Sequence, residues 1–210
     1  MVDGRCTAHT CADTDTSDTR GNPRHPRDPR SLALAFSVLA FCCAAALAGN
    51  TAGRSRDEVL AEYRNYYLTS ALTIAEQAWT GNAASCNAGT VSQLTYDRTL
   101  QRINYFRRLV GEPGNIVYET TRNAKCQQAA LMCLANGALN HAPPDTWSCY
   151  TAEGAEGCAN SNLSSAFGSN AITNFMTDAG ANNTAAGHRR WILYSRARTF
   201  GIGSASSYCA

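Results

Sequence analysis

Apolar positions recur at helical spacing along much of the chain, and the breaks between them are marked by Gly, Pro and Asn. Ser55-Arg56-Asp57-Glu58 has the form of a capping box. Leu60, Tyr63, Tyr67, Ala71, Ile74 and Ala78 follow it, so a helix with a docking stripe is predicted to about residue 79. Residues 96–110 predict a second helix burying Leu100, Ile103, Phe106 and Val110, with the arginines of 102–108 on a solvated face; Gly111-Glu112-Pro113-Gly114 ends it. The clearest helix is 123–135, where Cys126, Ala129, Ala130, Cys133 and Leu134 form one stripe and Gly137 offers a C-terminal cap. Ser169 caps a short helix burying Ile172, Phe175 and Met176, and His188, Trp191 and Ile192 share the core face of a further turn. Ile116-Val117-Tyr118 is a candidate strand. Phe200 and Ile202 form another, alternating with Gly201 and Gly203, where a second backbone approaches closely. Residues 145–159 and 178–186 are predicted as loops.

The N-terminal region departs from this pattern. Residues 1–30 are polar and aperiodic, too poor in apolar surface to offset the entropy of ordering, and are expected to be disordered. Residues 32–47 form an uninterrupted apolar run ending in Ala46-Leu47-Ala48, so residues 31–48 predict a signal peptide, or a short anchor if the run is retained. Residues 49–94 then form an extension with an amphipathic helix, and 95–210 the main domain. A net charge of +2 is too mild to imply nucleic acid, and no stable membrane span is expected unless residues 32–47 stay attached.

Cysteine usage supports an extracellular protein. Removing the leader leaves Cys86, Cys126, Cys133, Cys149, Cys158 and Cys209, an even set of the kind that forms disulfides in exported domains. Cys126 and Cys133 lie two helical turns apart, roughly 10 Å, and cannot pair with each other. Cys149 and Cys158 flank a Gly-rich stretch and are expected to form a local bridge.

After the leader the histidines are His141, in Asn140-His141-Ala142-Pro143-Pro144, and His188, in Gly187-His188-Arg189-Arg190-Trp191-Ile192-Leu193. Imidazole is the commonest metal ligand, but no HxxxH or HExxH spacing joins the two. The ordered blocks GALNHAPP, Ser161-Asn162-Leu163, AGHRRWIL and Phe200-Gly201-Ile202-Gly203 resemble the CAP superfamily of cysteine-rich secretory, antigen 5 and pathogenesis-related proteins, in its bacterial-type, SCP-like branch. The resemblance runs from about Cys86 to Ala210.

It implies an α+β fold, a three-layer α-β-α sandwich around a small antiparallel sheet. It also implies two histidines facing across an open cleft, with carboxylates beside them and a weakly held, zinc-like divalent cation in some members. His141 and His188 match. Ser161 stands where a glutamate is expected and Asn162 follows it; Asp178 is the best substitute carboxylate, ahead of Glu153 and Glu156. Two imidazoles and at most one carboxylate, with no neighbouring glutamate as base, make a poor hydrolase and a weak metal site. The expectation is therefore a secreted, non-catalytic binding module for a small apolar ligand, a polysaccharide or an extracellular protein. A metal-dependent, peptidase-like hydrolase using the same cleft is the alternative. The family's sheet continues beyond a turn into another strand, which residues up to Ala210 are not expected to supply, leaving an unpaired edge.

Overall fold

A computed structural model describes residues 53–210; the disordered segment and leader expected over 1–48 lie outside the described residues. Among the described residues the first helical stretch is α1 (Arg56–Glu62), which passes through a π turn (Tyr63–Tyr67) and a 3-10 turn (Leu68–Ser70). The Ser55 box forms as expected, with reciprocal bonds to Glu58. The stripe does not behave as expected: Tyr63 and Ile74 are exposed, and the extension is anchored instead by buried Ser70, Leu72 and Gln77. The π turn shifts the register by a residue, which swings a regular stripe off its face. α2 (Ile74–Gln77) follows, capped by Thr73.

α3 (Gln93–Leu109) starts three residues earlier than its apolar period, because the Ser92 hydroxyl accepts the Thr95 N–H. Ile103 is buried, but Val110 is exposed and the arginine face is not solvated: Arg102 and Arg107 are both buried. Arg102 donates to Ser70 Oγ, Thr173 Oγ1 and the Tyr67 carbonyl, and its guanidinium lies 4.0 Å from the Tyr67 ring centroid. Arg107 donates to the carbonyls of Pro113, Ile192 and Tyr194 at 2.9–3.0 Å. These charges satisfy backbone and hydroxyl groups that would otherwise be buried unpaired. Asn104 closes the same region by exchanging two bonds with the Ile116 backbone.

β1 (Val117–Tyr118) leads into α4 (Thr120–Asn136), whose first N–H groups are taken by the Glu119 carboxylate and whose end is the left-handed Gly137, as expected. Most of the second half of residues 145–159, expected as loop, belongs to α5 (Ala152–Asn160), capped by Thr151. Its glycines are there for close packing: a Cβ on Gly157 would sit 2.5 Å from the Lys125 carbonyl oxygen. α6 (Gly168–Thr177), α7 (Asn182–Ala185) and α8 (Gly187–Ile192) complete the helices. α7 interrupts the loop expected over 178–186.

The strands are short. β1 pairs in parallel with β2 (Thr199–Phe200), while β3 (Ser204–Ala205) and β4 (Tyr208–Cys209) form an antiparallel hairpin. The α+β class holds, but the sheet is not wholly antiparallel. A chain that leaves β1 and returns through α4–α8 makes a crossover, and crossovers give parallel neighbours. The chain also turns at Ser206 (φ 50°) and returns as β4, which bridges to Ser164, so a returning strand is present where none was expected. Gly203 approaches the Cys126 backbone and Gly201 that of Arg122, as the alternation predicted. Gln127 holds the hairpin, accepting from the Ser204 N–H and donating to its carbonyl.

Two apolar clusters result. One joins α4, α5 and the hairpin through Cys126, Ala129, Ala130, Cys133, Cys158 and Leu163. The other joins α3, α6 and α8 through Ile103, Ile116, Ile172, Phe175 and Ile192. The expected Cys149–Cys158 bridge does not form: Cys149 pairs with Cys86, their Cα atoms 5.0 Å apart. Cys158 is instead fully buried inside α5. Cys126, Cys133, Cys158 and Cys209 are buried and lie outside that bridge.

Candidate functional site

α6 ends at Asp178, which adopts a left-handed conformation (φ 47°) and donates its N–H to the Asn174 carbonyl. That turn points the carboxylate inward, where its side chain is fully buried. Oδ1 accepts from His188 Nδ1 at 2.8 Å, and the Arg189 N–H approaches Oδ2 at 3.4 Å. Burial pushes the carboxyl up. The bonds from His188 and Arg189 outweigh it and hold Asp178 below the ordinary aspartate range. An ionised carboxylate only accepts, so Nδ1 of His188 carries the proton and Nε2 is left free. The imidazole lies against Phe175, ring centroids 5.4 Å apart.

α8 is held from both ends. Arg189 donates to the carbonyls of Met176 and Thr177 and to Asn183 Oδ1, tying α8 to the end of α6. Arg107 takes the Ile192 carbonyl at the other end. Of the core face expected from His188, Trp191 and Ile192, only Ile192 is buried; Trp191 is 64% exposed.

His141 is built differently. Gly137 ends α4, the Asn140 side chain accepts the Ala142 N–H, and the exposed imidazole places Nδ1 2.8 Å from the Cys158 carbonyl oxygen. A carbonyl also only accepts, so His141 too keeps Nε2 free. The segment that follows reaches the other histidine, since Asn162 donates to the His188 carbonyl at 3.1 Å. Both histidines are thus fastened to residues 158–162, one at each end.

Ser161 is not part of this contact; its hydroxyl lies 3.4 Å from Cys126 Sγ. Glu156 pairs with Lys125 and Glu153 is exposed, so neither joins the histidines. Among the described residues no group of three or more His, Cys, Asp or Glu side chains is placed to hold a metal ion. The donor set does not fit a three-ligand catalytic centre, because Asp178 is engaged behind His188. Two surface hollows lie elsewhere. One of about 370 Å³ is lined by Glu112, Arg189, Arg190, Leu193, Tyr194 and Ser195. Another, of about 450 Å³, has Tyr96, Tyr118, Gln93 and Gln128 in its walls.

Sequence reasoning missed Arg102, Arg107 and Phe175 as supports of the site. The arginines carry no apolar signal, and Phe175 was visible only as a core position. Residues 100–210 match the family model of the CAP, cysteine-rich secretory protein, family. No curated protein and no solved structure matches the chain.

Proposed function

The chain belongs to the CAP (cysteine-rich secretory protein) family, and from that premise we propose that it is an exported, non-catalytic binding or interaction module. We place it in the bacterial-type, SCP-like branch on its GHRRWIL block. Its partner is a small apolar molecule, a polysaccharide or an extracellular protein. The observation that carries this reading is the engagement of both substitute groups: Asp178 on His188 Nδ1 and Ser161 on Cys126. The histidines then offer two free Nε2 atoms with no carboxylate base beside them, too few for metal-assisted hydrolysis.

A zinc-like divalent cation, held weakly, would rest on those two nitrogens. Asp178 would stand behind His188 as the outer carboxylate that fixes its ring and tautomer. Calorimetric titration with zinc tests this: binding should weaken about tenfold or more in His141→Ala and in His188→Ala. Equal binding by all three proteins removes the shared site. The hydrolase reading keeps one observation in its favour, the Asp178–His188 pair, which has the form of an oriented general base. Peptide and ester panels with zinc added decide it. Turnover that vanishes in the His141→Ala, His188→Ala double variant and rises in Ser161→Glu would reverse the proposal.

A further inference from the structure

α4 and α5 cross with their backbones unusually close. Gly154 packs on Met132 and Gly157 on Lys125 and Ala129, and no Cβ fits at either position without displacement. Close approach of this kind brings the side chains next to the glycines within reach across the two helices. Cys158 follows Gly157, and Cys133 lies one turn beyond Ala129; both are 0% exposed and share one apolar cluster. Each thiol shifts the other, Cys158 lowering Cys133 and Cys133 raising Cys158. The remaining described thiols have other neighbours: Cys126 meets Ser161, and Cys209 lies in the hairpin.

We infer that Cys133 and Cys158 form the second disulfide of this domain, closing alongside Cys86–Cys149 and clamping α5 to α4 beneath His141. Disulfides need Cα atoms about 4.4–6.8 Å apart, and a glycine crossing supplies that approach. The consequence for the site is direct. The Cys158 carbonyl oxygen lies 2.8 Å from His141 Nδ1, so the bridge would fix the support of one histidine. The oxidant is the disulfide of a thiol–disulfide oxidoreductase. One cysteine thiolate attacks it to form a mixed disulfide and releases one oxidant thiol. The second cysteine thiolate then attacks the linked sulfur and releases the other. Two protons and two electrons leave the pair, and the oxidant is reduced to its dithiol. Both sulfurs are buried in the folded chain, so closure precedes the final seating of α5.

This rests on the proposed export, and the test separates the two. Protein expressed into an oxidising compartment is alkylated in denaturant without reductant and digested. No Lys or Arg lies between Cys126 and Arg189, so a glutamate-specific protease with chymotrypsin replaces trypsin. The expected peptides are Cys86–Cys149 and Cys133–Cys158. Cys86–Cys149 linked with Cys133 and Cys158 alkylated, or bridged to other cysteines, overturns the pairing alone. All of them alkylated overturns the export reading as well. As a second measurement, reductant should lower the melting temperature of the wild type by roughly 6–12 °C more than that of Cys133→Ala, Cys158→Ala. Equal shifts count against the bridge.

Discussion

His188 and His141 each give Nδ1 to an oxygen and keep Nε2 free, yet the protein invests very differently in them. His188 sits on a helix pinned by Arg107 and Arg189, against Phe175, with a fully buried carboxylate behind it. His141 sits on an exposed turn and is held by one carbonyl. A buried charge left without its partner is costly, whereas a lost bond at an exposed site is refilled by water. The first histidine is therefore part of the fold's stability as well as of the site, and the second can be removed with little structural consequence.

The largest expected effect tests that asymmetry. His188→Ala leaves Asp178 buried with only a long backbone contact, and should cost about 2–4 kcal/mol by urea denaturation. A loss no greater than that of His141→Ala breaks the comparison. The next test uses pH. Asp178 is held below its unfolded value of about 3.9, so its contribution is complete above that pH and is lost as pH falls through the lower folded value. The stability advantage of wild type over Asp178→Asn should therefore be present at about pH 5 and close below about pH 4. Other depressed carboxyls, such as Glu76 at about 2 with its Thr73 cap, titrate in both proteins and cancel. An advantage unchanged at pH 3 would remove the carboxylate from the account.

Asn162→Ala cuts the link between residues 158–162 and the His188 backbone, at about 1 kcal/mol. Its sharper readout is zinc affinity, which should fall although no ligand is touched. The smallest effect is expected for His141→Ala, under about 1 kcal/mol in stability, with its consequence confined to binding. A larger loss would mean that the turn after Gly137 depends on the imidazole.

Much of this was readable before any coordinates. The caps at Ser55 and Gly137, the buried stripe of residues 126–133 and the close approach at Gly203 all follow from local rules: period, cap chemistry and the placing of glycine. Helix and turn preferences act over a few residues, so a sequence window contains their cause. What escaped was decided by groups far apart in the chain. The arginine face of α3 was expected in solvent because nothing nearby in sequence can neutralise it. Only the fold delivers the carbonyls of Ile192 and Tyr194 to Arg107, and the hydroxyls of Ser70 and Thr173 to Arg102. The glycines of α5 looked like a loop until α4 was packed against them, and Cys149 found Cys86, 63 residues away, rather than its near neighbour. Asp178 was identified as a carboxylate for the site. Its position behind His188, as an orienting group engaged on Nδ1, depends on the left-handed turn that ends α6 and on the burial around it, and that geometry exists only in the packed molecule.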